Sequence, residues 1–372
     1  MTKSSWIAAI VGVPLAWGCS YVEMPYPDAA GPNGTSYVIG RTMELSNLMG
    51  STTYDIEVVP RNETAGTFGY LAPMSIFKFL TITTKVPAEG MNEHGFSVSA
   101  LLFSQSRYEE PQEGLPSLRP EDVVGSLLAH CADIQSALKY LGSVRVTAQS
   151  ELFDLHWALV DATGRSVVVE YLEGQRVVYE NAPRVMTNDP DLKWHWRNLN
   201  TLTHLSPNFP TDNKFMEIDV GGDIGAVPRT VGHGWNLAGL PGDFSPPSRF
   251  SRLFYLRGYA MHARPLQSEA DAIVLGTGLL NNVFIPMGTV APDPAAAFME
   301  RLEYTPYGIL KNPQQKTMMI RGYRNSQWKK LDLKHLDFSK VSSWPLEDGS
   351  LGVKDITDKG TPSQDEIPEF SI

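Results

Sequence analysis

The order of local patterns along this chain restricts its architecture more than any other feature: strand-like segments come first, helices follow, and strands return. Ser36–Leu45, Asp55–Pro60, Phe77–Thr83 and Gly95–Phe103 place apolar residues at period 2 and predict strands. Pro120–Gly142 predicts a helix, opened by proline and closed by glycine, with Val124, Leu127, Leu128, Cys131, Ile134 and Leu138 on one face. Next comes a meander, Leu155–Asp161, Ser166–Tyr171 and Arg176–Tyr179, turning through Ala162-Thr163-Gly164 and Glu173-Gly174. Asp191–Leu202, Ser248–His262 and Glu269–Leu280 read as helices, the second entered through the Gly/Pro-rich loop Gly232–Pro247. Glu303–Leu310, Lys316–Tyr323 and Trp328–Leu333 are strand-like again. Runs of one element type, rather than alternating β-α-β units, predict an α+β fold with mostly antiparallel sheets and helices packed on them. From Ser342 the chain turns acidic and rich in Pro, Gly and Ser, which reads as a loosely docked or disordered extension over 342–372.

Residues 1–18 have the form of a secretory signal peptide. Lys3 supplies the basic start, Ile7–Leu15 the apolar core, and Ala16-Trp17-Gly18 a site with small residues at −3 and −1. Cleavage after Gly18 would leave a domain spanning 19–341 and place Cys19 first, with a nucleophilic thiol and a free α-amine on one residue. Such an amine titrates near ~7.7–8 and can serve as the base for its own side chain. The expected location is periplasmic or extracellular. In the competing reading Cys19 is the lipid-modified cysteine of a lipoprotein, although Trp17 stands where lipoproteins have a small residue.

Composition narrows the function classes. Of 372 residues, 42% are apolar and 19% charged, and the net charge of −10 becomes −11 without Lys3. No basic stripe is present, so nucleic acid is not an expected partner. After the signal, no apolar run is long enough to span a bilayer. The cysteines number two, too few for a disulfide scaffold, and Cys131 reads as a buried hydrophobe. The eight histidines lack HExxH or similar spacing, and the Gly232–Gly242 glycines lack G-x-G-x-x-G spacing. No metal or organic cofactor is therefore expected.

An N-terminal thiol nucleophile needs a cation beside the sulfur, an acceptor for the amine and donors for an oxyanion. Arg41 and Glu44 in Gly40-Arg41-Thr42-Met43-Glu44 are candidates. Alternation puts Arg41 and Met43 on one strand face, with Glu44 on the other or past the strand end. Asn188 in Thr187-Asn188-Asp189-Pro190 and Arg249 near a helix start complete the set. Each has a plain structural explanation when taken singly: a turn residue, a surface arginine, a solvated strand charge.

Taken together and in order, these segments carry more. Cys19, Gly-Arg-Thr-Met-Glu, Gly90-Met91-Asn92-Glu93-His94-Gly95, Leu155-His156-Trp157, Thr187-Asn188-Asp189-Pro190 and Gly239-Leu240-Pro241-Gly242-Asp243 with Ser248-Arg249-Phe250 resemble the choloylglycine hydrolase family. That family contains bile salt hydrolases and penicillin V acylases, and the resemblance runs from Cys19 to about Leu333. It implies the four-layer αββα sandwich of N-terminal nucleophile hydrolases and a homo-oligomer, dimer or tetramer. It also implies roles: Cys19 the nucleophile, Arg41 the cation beside the thiol, Glu44 the contact to the α-amine, Asn188 an oxyanion ligand and Arg249 a second active-site arginine. Two departures stand out. Glu44 replaces the usual Asp, and Leu102 falls where the family has a polar Asn or Tyr, so a backbone N–H would have to serve there. Ser20 also replaces the usual threonine after the nucleophile.

The resulting expectation is hydrolysis of a linear, non-peptide amide through a thioester, without a cofactor. Phenoxyacyl amides of the penicillin V type or N-acyl homoserine lactones suit an exported enzyme, with conjugated bile salts third. Phe103, Phe68 and Tyr70 are candidate lining residues of an apolar acyl pocket. Two alternatives remain at this point: a non-catalytic lipid-anchored binding protein on the same fold, and a papain-like Cys/His hydrolase using His94 or His156.

Overall fold

A computed structural model describes residues 18–44, 52–79, 82–148, 154–208, 234–291 and 302–353. The expected signal segment before Gly18 and the tail beyond residue 353 lie outside the described residues.

Two antiparallel sheets form the centre. The first has six strands in the order Val185–Met186, Cys19–Pro27 (β1), Thr35–Met43 (β2), Tyr307–Asn312, Thr317–Gly322 and Lys329–Asp332. The second runs Gln175–Glu180, Ser166–Leu172, Leu155–Val160, Ser97–Leu102, Glu89–Asn92, Tyr70–Phe79, Thr52–Val59 and Ser342–Pro345, with Ile82–Pro87 also paired to Tyr70–Phe79. The helices Pro246–Ala263 and Glu269–Asn282 pack on the first sheet. The helix Val123–His130 packs on the second, with Ile134–Gly142 beside it. The result is the four-layer helix–sheet–sheet–helix arrangement.

The strand pattern produces this layering. In Leu155–Val160 and Ser166–Leu172, the side chains of Trp157, Leu159, Val167 and Val169 join a core under the 123–142 helices. Their neighbours Ala158, Val160 and Val168 join the larger core that holds Cys19, Ile39, Met43 and Ile309. Both faces are buried, so these strands are apolar nearly throughout. Burial on both faces also hides β1 in the sequence. Glu23 stands mid-strand and fully buried, and its carboxylate accepts from Tyr21 Oη at 2.9 Å, Ser166 Oγ at 2.5 Å and Arg184 Nη1 at 2.6 Å.

Three expectations are corrected. The single helix over Pro120–Gly142 is a 3₁₀ turn, Pro120–Asp122, followed by two helices separated at Cys131–Asp133. Asp133 caps the second helix through Ser136 N–H at 2.7 Å, while Asn92 Nδ2 donates to the Leu128 and Cys131 carbonyls at the break. Both helices bury the same side in one core, which is why the apolar spacing continues across the gap. The strand expected over Phe77–Thr83 is the end of one strand and the start of its antiparallel partner, registered Phe79↔Ile82. The chain from Ser342 is not loose at its start: Ser342–Pro345 pairs with Thr52–Val59 at the sheet edge, and Leu346 is buried, its N–H donating to the Tyr54 carbonyl at 3.1 Å.

Candidate active site

Cys19 opens β1, directly opposite Met43, the last residue of β2. Arg41 and Met43 share one face of β2, and Glu44 stands one residue past its end. All four line one cleft with about 530 Å³ of open space. The rest of the wall is mostly apolar, with Val86, Pro87, Ala88, Ala100, Leu102 and Val124.

Arg41 is fully buried. Its Nη2 donates to Cys19 Sγ at 3.4 Å and to the Ala100 carbonyl at 2.7 Å, and its Nη1 donates to Glu89 Oε1 at 2.7 Å. The other oxygen of Glu89 lies 3.0 Å from Lys311 Nζ, which donates to Ser99 Oγ at 2.8 Å. Burial alone would raise the Glu89 carboxyl, but Arg41 and Lys311 outweigh it and hold it below the ordinary carboxylate range. Burial pulls the Lys311 ammonium below its ordinary value and Glu89 opposes this; with both basic groups charged, the cluster keeps a net positive charge beside the thiol. Burial pushes the Cys19 thiol above its ordinary value. Arg41 pulls it down, the Glu44 carboxylate pushes it up, and the Glu44 backbone N–H and Arg249 pull it down again. The thiol is therefore protonated at neutral pH and needs a base to react.

Asn188 Oδ1 accepts from the Cys19 N–H at 2.7 Å and from Arg249 Nη2 at 2.7 Å, while Asn188 Nδ2 donates to the Leu102 carbonyl at 2.9 Å. Its backbone carbonyl accepts from His195 Nε2 at 2.9 Å. Burial pushes His195 down to about 4, against the opposing effect of that hydrogen bond, so the ring is neutral. Arg249 sits in the first turn of the 246–263 helix, where the helix dipole disfavours a cation. Its hydrogen bonds go elsewhere: Nη1 donates to the Cys19 carbonyl at 2.6 Å and Ser20 Oγ at 2.8 Å, and Nε to the Phe244 carbonyl at 2.8 Å.

Glu44 is fully buried. Its Oε1 accepts from Thr305 Oγ1 at 2.9 Å, and its Oε2 has no hydrogen-bond partner among the described residues. Burial pushes its carboxyl up to about 7, opposed by Arg249 and the Thr42 and Thr305 hydroxyls and reinforced by Glu303. Glu303 Oε1 in turn accepts the Gly18 N–H at 2.9 Å.

The five residues expected to form the site thus meet around Cys19. The expected wall of aromatic residues does not form. Phe103 is fully buried and stacks on His156 at 4.6 Å, Phe68 packs edge-on to His94, and Tyr70 is buried in the core under the 123–142 helices. Leu102 does reach the cleft, and its carbonyl is engaged by Asn188. His156 is held between Glu170 Oε1 at 3.1 Å and the Thr187 carbonyl at 2.9 Å, which removes it as the base of a Cys/His pair. Both cysteines are free thiols. Sequence reading missed Glu89, Lys311, Thr305 and Glu303; each meets the site only through tertiary contacts, and no local motif marks it.

Comparison with known proteins places this geometry. Residues 32–350 match the model of the linear amide C–N hydrolases, choloylglycine hydrolase family. A bile salt hydrolase/transferase of Clostridium perfringens is 30% identical over 69% of this chain and 76% of its own. A penicillin V acylase of Pectobacterium atrosepticum is 30% identical over 55% of this chain and 52% of its own. The crystal structure of a mutant conjugated bile acid hydrolase from Clostridium perfringens superposes with a TM-score of 0.72 at 22% identity, covering 91% of this chain and 99% of that one. The αββα sandwich is therefore that of the N-terminal nucleophile hydrolases, and the binding-protein reading gives way to an enzymatic one. The chain belongs to the choloylglycine hydrolase family and hydrolyses C–N bonds of linear amides.

Proposed function

We propose that the protein is an exported amidohydrolase whose nucleophile is Cys19, freed at its α-amine by removal of residues 1–18, and that it cleaves N-acyl amides with an apolar acyl group. The observation that carries this reading is the seat of Cys19 itself. Its sulfur lies 3.4 Å from Arg41 Nη2 and its nitrogen 2.7 Å from Asn188 Oδ1, in the wall of a largely apolar cleft.

The chemistry follows from these contacts. The thiol is protonated at rest, so the neutral α-amine takes its proton as the sulfur attacks the amide carbonyl. The Arg41 guanidinium, kept cationic by Glu89, stabilises the sulfur as it becomes anionic. One Asn188 N–H is held by the Leu102 carbonyl, and the second, with no acceptor among the described residues, is the one to meet the oxyanion. A lost donor of this kind typically costs ~10²–10³ in rate. The α-ammonium then gives its proton to the leaving nitrogen, the C–N bond breaks, and water hydrolyses the thioester.

Phenoxyacetyl amides and fatty-acyl amides such as N-acyl homoserine lactones fit the cleft wall, and conjugated bile salts form the third class to test. The test is a panel of these three classes against the exported protein and its Cys19→Ser variant. Hydrolysis by the wild type and none by a folded variant supports the reading. Undiminished turnover by Cys19→Ser would sink it.

A further inference from the structure

The carboxyl groups around Cys19 are not fully satisfied in the intact chain. Arg41 is taken up by Glu89, which leaves Arg249 facing two buried carboxylates, Glu44 and Glu303. Burial raises the Glu303 carboxyl as well, against the opposing effects of Arg249 and the Gly18 N–H. Two carboxylate oxygens here wait for a donor or will lose one. Glu44 Oε2 is buried with no hydrogen-bond partner among the described residues. Glu303 Oε1 holds the N–H of Gly18, the residue that cleavage would remove. The place of residue 18 is closely bounded: a Cβ there would lie 2.9 Å from Glu303 Oε1 and 3.0 Å from Arg249 Nη2.

An α-ammonium at Cys19 supplies a positive charge and three N–H donors. Asn188 Oδ1 is already bonded to the Cys19 nitrogen, Glu303 Oε1 is bonded to the nitrogen one residue before it, and Glu44 Oε2 is an unused acceptor in the same cleft. We propose that Glu303 is a positioning residue for the Cys19 α-amine, taking an N–H of the new terminus after Gly18 leaves. This rests on Cys19 being the processed N-terminus. In the intact chain Glu303 holds the residue before the cleavage point, and in the processed enzyme it holds the residue after it. The role belongs to the carboxylate, since a buried anion beside the amine favours its charged form. The other titratable groups around Cys19 are Glu44, Arg41, Arg249, its own thiol and the Tyr54 and Tyr307 phenols; of these, Glu44 and Arg249 also feel Glu303, whose charge raises the Glu44 carboxyl.

The test uses the exported protein, with its terminus at Cys19 verified by intact mass. Nitrogen-15 labelling of its two cysteines lets the α-amine be titrated directly by NMR. In Glu303→Gln the α-amine should titrate roughly 1 unit or more lower than in the wild type, as expected for loss of a neighbouring charge. The acid limb of kcat/KM should move to lower pH with it. Glu303→Asp, which keeps the charge, should restore most of the shift, and it serves alone if Glu303→Gln does not fold. With the terminus at Cys19 and Cys19→Ser inactive, identical amine titrations in wild type and variants would overturn the role of Glu303 alone. A terminus elsewhere would overturn both this role and the processed-cysteine reading.

Discussion

Lys311 Nζ lies 3.0 Å from Glu89 Oε2, on the carboxylate whose other oxygen binds Arg41. Without that lysine, Arg41 and Glu89 would be a neutral pair and the field at Cys19 would weaken. Lys311→Met should therefore raise the pH at which Cys19 reacts with iodoacetamide by about 1 unit, in the range that removal of a nearby charge produces. Glu89→Gln should shift it the other way. Movement of both variants in the same direction would contradict the charge balance.

Arg249 donates to Cys19, Ser20, Asn188 and Phe244 at once, which only a planar fork of donors can do. Arg249→Lys keeps the charge and loses the geometry. Turnover should fall by ~10²-fold, as for a lost active-site donor, while the melting temperature changes little. Equal losses in both would mark the arginine as structural.

Glu44 gives a pH signature in the unprocessed chain. Its folded carboxyl holds a proton up to about 7, whereas the unfolded one releases it near 4.5. The folded state then binds more protons in that window, and stability falls as pH rises, by up to about 1.4 kcal/mol per unit. Urea unfolding at pH 5 and pH 7 should show this loss in a chain that retains Gly18 and not in its Glu44→Gln variant. Equal slopes would argue against a buried, unpaired Glu44.

His195 has the opposite sign. It stays neutral in the fold down to about 4, while the unfolded chain takes up a proton below 6.5. Stability should fall as pH drops through that window, again by up to about 1.4 kcal/mol per unit. His195→Gln should remove that acid sensitivity, read as unfolding midpoints between pH 6.5 and 4.

The acyl group is expected to lie along Ala88, Ala100 and Val124. Ala88→Phe should raise KM for long or bulky acyl amides by ~10-fold or more and affect acetyl amides little, since a hydrophobic pocket discriminates by one to a few kcal/mol. A uniform rise across acyl sizes would place the acyl group elsewhere.

What the sequence disclosed depended on how local each signal was. Arg41 and Met43 are readable because strand alternation is a two-residue rule, although β2 stops at Met43 rather than at the expected Leu45 and leaves Glu44 just past its end. Cys19 is readable because a signal-type segment precedes it, yet its strand is not, since Glu23 interrupts the apolar pattern and finds its partners at Ser166 and Arg184. The 120–142 break was concealed by a shared apolar face; Asp133 caps the second helix locally, and Asn92, far away in sequence, holds the carbonyls at the break. Glu303 and Lys311 are unremarkable in the sequence. Their meaning comes from Gly18, 285 residues away, and from Glu89, on the facing sheet.

The most direct measurement is the intact mass of the exported protein, quenched in acid within milliseconds of mixing with an N-acyl amide. Cys19 as the processed nucleophile predicts a chain running from Cys19 to Ile372 that carries one acyl group, with the adduct absent in Cys19→Ser. A terminus away from Cys19, a lipid adduct on it, or hydrolysis with no acyl group on that residue would contradict it.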